Sequence, residues 1–123
     1  LGAEQNRPCQ MPHFIIEAAG ALDAPDDRQA AMTIVANVGA AQTFINGDDI
    51  KVRLYPCADF LALDGRTSFL HITVRLLAGR TAEQKEMLAC ALRDALDERF
   101  AKIQSISIEI CDMDPVSYKK RLA

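Results

Sequence analysis

A β-α-β pattern that occurs twice, at an offset of about 55 positions, constrains this chain more than any other feature. The first copy opens at residues 13–18, where Phe14 and Ile16 share one face and Ile15 the other. Residues 20–25 are turn-rich. Asp26 followed by Gln29 reads as a helix cap with its box partner. Met32, Val35, Val38 or Gly39, and Ala41 or Gln42 then fall near one helical stripe, and Asn46-Gly47 is the expected stop. Residues 50–55 alternate with period two, as a half-buried strand does. The second copy repeats this plan. Residues 69–77 form a strand, Gly79-Arg80 a turn, and Thr81 with Gln84 a capping box. Leu88, Ala91, Leu92, Ala95, Leu96 and Phe100 line one helix face, and residues 105–110 alternate again.

A right-handed β-α-β crossover makes its two strands parallel. Two such units predict an α+β fold, a four-stranded sheet with both helices on one face. The other face would lack cover although its strands are fairly apolar, so oligomerisation is expected to bury it. One domain is expected over 12–123, with halves at 12–56 and 69–113. The linker, 57–68, carries the turn signal Asp64-Gly65 and reads as a hairpin or a flap near a site. The tail, 114–123, with Tyr118 and the basic run Lys119-Lys120-Arg121, is expected against a neighbouring subunit or in solvent.

A net charge of −3 gives no electrostatic reason for nucleic acid or an acidic membrane as partner. No apolar run approaches the ~20 residues that span a bilayer. Residues 1–10 hold Glu4 and Arg7 without an apolar core, so they do not read as a signal peptide. The four cysteines, at 9, 57, 90 and 111, form no C-x-x-C pair, and only His13 and His71 could join them around zinc. No metal is expected. Free, buried thiols at Cys90 and Cys111 fit a reducing cytoplasm.

The chemistry centres on Pro12, in the run Met11-Pro12-His13-Phe14-Ile15-Ile16-Glu17. If Met11 is a start residue that is removed, Pro12 gains a free secondary amine. Such an amine takes a proton from carbon at neutral pH once its surroundings lower its pKa. Inside a chain the same nitrogen is an amide with no basicity. Residues 1–11 therefore read as an extension to the domain, from an upstream start assigned too early or from residues added for expression.

These residues resemble the tautomerase superfamily, and most closely the 5-carboxymethyl-2-hydroxymuconate isomerases. The Met11–Glu17 run is similar to that family's opening strand. Gly79-Arg80-Thr81-Ala82-Glu83-Gln84-Lys85 resembles the strand-to-helix junction of the related 4-oxalocrotonate tautomerases. The resemblance spans 12–122. It implies a homotrimer of fused halves, no metal or organic cofactor, and an N-terminal proline that moves a proton along a carboxylated dienol from aromatic catabolism. It implies Pro12 as the base and Arg53 and Arg80 as carboxylate ligands. Lys51 stands where the isomerases have a further arginine, which keeps the charge but loses the paired donors of a guanidinium. Ser107, in the second half, stands where the single-half enzymes have arginine, so one half alone is equipped. His13 is expected at a subunit contact and His71 as a satisfied strand histidine. The Gly39-Ala40-Ala41 run reads as close helix packing.

Two other readings share the fold. One is a non-catalytic trimeric binding or structural protein whose extension covers Pro12. The other is a decarboxylase or dehalogenase that uses the same proline.

Overall fold

The computed structural model describes residues 12–123; the extension expected at 1–11 lies outside them. The chain forms β1 (His13–Ala19), α1 (Pro25–Ala40), a single 3-10 turn (Gly47–Asp49), β2 (Lys51–Cys57), β3 (Phe69–Leu77), α2 (Ala82–Arg99) and β4 (Ile106–Met113). The strands make one sheet in the order β2-β1-β3-β4. β1 runs parallel to β2 and β3 parallel to β4, as two β-α-β units require. The units meet at the centre, where β1 and β3 pair antiparallel with His13 opposite Arg75 and Ala19 opposite Phe69. Pro56 sits within β2, an edge strand, where a missing N–H costs no ladder bond on the open side.

The core follows from the alternation. Phe14 and Ile16 from β1, Leu70, Ile72, Val74 and Leu76 from β3, Val35 from α1 and Leu88, Leu92 and Leu96 from α2 are all fully buried. Each such side chain contributes about 1.5–3 kcal/mol relative to exposure. Gly39 lets α1 approach the sheet closely: a Cβ there would lie 2.8 Å from the tip of the Phe14 ring and 3.2 Å from Ile50. Close helix packing at this glycine is what the sequence predicts.

α2 starts as predicted. The Thr81 hydroxyl accepts from Gln84 N–H at 3.1 Å, and the Gln84 side chain accepts from Thr81 N–H at 2.9 Å. α1 departs from its prediction at both ends. Ala24 is its N-cap, with no side-chain cap, and Pro25 opens the helix in place of an Asp26–Gln29 box. A proline at the first turn supplies a preset φ where no N–H partner is needed, which is enough to start the helix. The helix ends at Ala40 rather than near Asn46; Asn46 caps the 3-10 turn instead, its side chain accepting from Asp48 N–H at 3.1 Å.

The face away from the helices is open and differs in character from its expectation. It is mainly polar, carrying His13 and Glu17, Lys51 and Arg53, His71, Thr73 and Arg75, and Ser107 and Glu109, with Ile15 and Tyr55 among them. The apolar half of each alternation is consumed beneath the helices. The linker forms no hairpin. Its Asp64-Gly65 turn is present, with Gly65 at φ 83° and its N–H donating to Ala62 at 3.1 Å. Phe60 packs edge-on against Phe69 and Thr67 N–H donates to the Gln104 side chain at 2.8 Å, which holds the linker at the start of β3. No helix among the described residues is long and apolar enough to cross a membrane.

Candidate active site

Pro12 directly precedes β1. Its ring is fully buried, on the same side of the sheet as Phe14. Its carbonyl accepts from Lys51 N–H at 3.1 Å, which joins the start of β1 to the start of β2. Lys51 stands opposite His13 and is exposed; Arg53 lies two residues on, on the same face.

Arg80 reaches this end of the sheet by another route. The β1–β3 register sets the beginning of β1 beside the end of β3. Arg80 follows β3, and its Nη1 donates to Leu77 O while its Nη2 donates to Phe44 O, both at 3.0 Å. Two of its five donors are thus committed to carbonyls, one from each half of the chain. Burial lowers its pKa from the ordinary value, with Asp112 opposing the shift. Pro12, Lys51, Arg53 and Arg80 therefore gather at one end of the sheet: Pro12 and Lys51 through a backbone bond, Arg53 on the open face, and Arg80 behind the end of β3.

Three residues at this end carry no site role that the sequence predicts. His13, expected at a subunit contact, lies 3.0 Å from Arg53 Nη1 through its Nδ1 and 3.0 Å from the Tyr118 hydroxyl through its Nε2. Tyr118 packs edge-on to the imidazole, with ring centroids 6.0 Å apart. Tyr118 thus brings the middle of the tail back against its own chain, while residues 114–117 and 121–123 stay exposed. Arg75 stands across from His13 on β3. The antiparallel alternation carried a signal for Arg75, since it shares the open face with His13. Nothing near Tyr118 in the sequence signals its contact, which spans 105 positions.

The electrostatics of this end are cationic. Burial lowers the His13 pKa below its ordinary value, and Arg53, Lys51, Arg75 and Lys120 add to the effect in that order. Four cations near one imidazole favour its neutral form and favour an anion beside it. The far end of the sheet is built differently. There Ser107 lies 2.7 Å from His71 Nδ1, and Glu109 lies 3.3 Å from His71 Nε2. His71 is the satisfied strand histidine that the sequence predicts. Among the described residues no group of three or more His, Cys, Asp and Glu side chains could hold a metal ion.

Comparison with known proteins places this geometry in context. The sequence profile of the 5-carboxymethyl-2-hydroxymuconate isomerase family matches residues 12–121. No curated protein matches the sequence significantly. Among solved structures, a 5-carboxymethyl-2-hydroxymuconate isomerase from Deinococcus radiodurans R1 superposes with a TM-score of 0.72 at 24% identity, over 91% of this chain and 90% of that one. A 5-carboxymethyl-2-hydroxymuconate delta-isomerase superposes with a TM-score of 0.69 at 18% identity, over 92% and 89%. A fused 4-OT, Q0, solved as a symmetric trimer, gives a TM-score of 0.67 at 18% identity, over 83% and 85%.

Proposed function

The chain belongs to the 5-carboxymethyl-2-hydroxymuconate isomerase family, and from that premise we propose that it is a cofactor-free isomerase in which the amine of Pro12 moves a proton along a carboxylated dienol. The observation that carries this reading is the cationic end of the sheet, where Lys51, Arg53 and Arg75 lie on the open face next to His13 at the start of β1. Cations serve such a reaction twice. They bind the substrate carboxylates, and they disfavour the protonated amine, which lowers its pKa toward working pH. Burial of the proline ring acts in the same direction.

In this mechanism the Pro12 nitrogen takes a proton from the enol and returns it to carbon further along the conjugated system. Arg53 and Lys51 bind carboxylate, and Arg80 binds it with the donors left over from Leu77 and Phe44. The homotrimer is part of the proposal, supported by the symmetric trimer of a fused structural relative. So is a mature chain that begins at Pro12, because an amide nitrogen has no basicity. The substrate class, from aromatic catabolism, rests on the family.

The test compares two forms of the protein, one starting at Pro12 and one retaining residues 1–11, each verified by intact mass. Enol-to-keto conversion followed in the ultraviolet should occur only in the first and should be lost in Pro12→Ala. A chain with a free Pro12 amine that turns over no carboxylated enol sinks the proposal. A panel with halo-acid and keto-acid substrates separates isomerase from dehalogenase or decarboxylase chemistry. The rival reading, a non-catalytic trimeric binding protein, draws on one observation: the Pro12 ring is fully buried and is not among the residues lining the cavity formed by His13, Arg53, Arg75 and Tyr118.

A further inference from the structure

The tail after β4 builds a cleft over the open face of the sheet. Asp114 reverses the chain: its carbonyl accepts from Ser117 N–H at 3.2 Å and Tyr118 N–H at 3.0 Å, and its carboxylate accepts from Val116 N–H at 2.9 Å. The turn carries Tyr118 back across the sheet to His13. Beneath it lies a cleft of about 480 Å³ lined by His13, Arg53, Arg75, Asp114, Ser117 and Tyr118, among others.

The hydrogen bonds in the cleft have only one consistent direction. A guanidinium donates and never accepts, so His13 Nδ1 accepts from Arg53. The neutral imidazole then carries its proton on Nε2 and donates it to the Tyr118 oxygen. The hydroxyl proton of Tyr118 is left for a different acceptor. The depressed basicity of His13 agrees with this neutral state.

The charges are also unbalanced. Among the described residues Arg75 makes no hydrogen bond or ion pair, and Arg53 bonds only to the neutral His13. The two carboxylates at the cleft are engaged elsewhere, Asp112 with Lys85 Nζ at 3.2 Å and Asp114 with its own turn. Two guanidinium groups and a directed hydroxyl donor thus face one cleft with no carboxylate paired to either arginine.

We propose that this cleft is a carboxylate-binding subsite in which Arg75 and Arg53 supply the charge, Tyr118 donates its hydroxyl proton to the bound carboxylate, and His13 is the positioning residue that sets the direction of that donor. It rests on the isomerase reading for its role, which is to hold the substrate carboxylate remote from the reacting carbon. Its ability to bind a carboxylate does not depend on turnover.

Binding of glutarate to the full chain, followed by calorimetry, tests the subsite directly. Loss of one hydrogen bond to a charged group weakens binding by about tenfold or more. Arg75→Gln and Tyr118→Phe should each do so, and Arg75→Lys should recover part of the loss. Arg93→Gln, at an exposed position of α2, serves as a control for the substitution itself and should bind as the parent does. If His13 acts through Tyr118, His13→Ala combined with Tyr118→Phe binds no more weakly than Tyr118→Phe alone, a non-additivity that general loosening would not give. Circular dichroism confirms that each variant is folded; Tyr118→Phe removes one oxygen from a half-buried ring and tests the proposal even where an arginine variant fails to fold. No glutarate binding by the parent protein, or equal binding by the parent and Tyr118→Phe, overturns the subsite. Glutarate binding lost in these variants without any enol turnover supports the subsite and counts against the isomerase reading alone.

Discussion

Arg80 bonds to Phe44 across the boundary between the two halves, 36 positions apart in sequence, while its other arm holds Leu77 at the end of β3. One guanidinium thus clamps the turn after α1 to the strand that precedes α2. A lysine cannot span both carbonyls.

Arg80→Lys should therefore lower stability as well as any substrate affinity. Loss of one charge-assisted bond, partly exposed to solvent, costs about 1–2 kcal/mol. Urea denaturation checks this. An unchanged midpoint with raised KM would show that Arg80 serves the substrate and not the fold.

His13 makes stability sensitive to acid in a definite direction. Burial and its cationic neighbours lower its pKa in the folded state below the ordinary value of 6.5. The unfolded chain then takes up the proton first as pH falls. The contribution of neutral His13 is present above about pH 6.5 and is lost as pH falls through the unfolded pKa toward the lowered folded one. Thermal melts at pH 7.5 and pH 5 should converge more for His13→Gln than for the parent. An equal acid loss in both proteins would contradict the effect.

At Gly39 two effects oppose each other. Alanine favours the helix by about 1 kcal/mol. Its Cβ would press on Phe14 and Ile50, and overpacking of this kind costs about 1–3 kcal/mol. Phe14 is fully buried and cannot yield freely. Gly39→Ala is expected to be net destabilising, and a raised melting temperature would show that α1 shifts instead.

Lys51 is exposed and its interaction with a carboxylate is screened. Pairs of this kind are worth about 0.2–1 kcal/mol. Lys51→Ala should raise KM for a carboxylated enol by about 2- to 5-fold with little change in kcat. A large fall in kcat would place Lys51 nearer the reacting atoms than its exposure suggests.

What the sequence made legible was local or periodic. Thr81 and Gln84 form their box because both partners lie within one turn. The alternation of β1 and β3 sorts Phe14 and Ile72 from His13 and Thr73 without reference to anything distant. Asp26 and Gln29 form no cap because Pro25, with its fixed φ, already starts the helix from Ala24, two positions before the expected cap. The open face is more polar than the apolar content of its strands predicts, because the helices take all of one parity. Tyr118 was out of reach for a different reason. Its contact with His13 depends on a turn at Asp114 and on the strand order, and no short window holds both.

The central β1–β3 pair has a further consequence. It is the seam at which two complete β-α-β units associate, much as two subunits would. The segment that joins them, with Leu61 and Leu63 almost wholly exposed, adds no strand to the sheet. Its physical contribution is that of a tether: it replaces a concentration-dependent encounter with an effective concentration, ~mM for a short flexible connection. That guarantees one copy of each half per molecule, so the cationic end can draw different residues from each: Lys51 and Arg53 from the first half, Arg75 and Arg80 from the second.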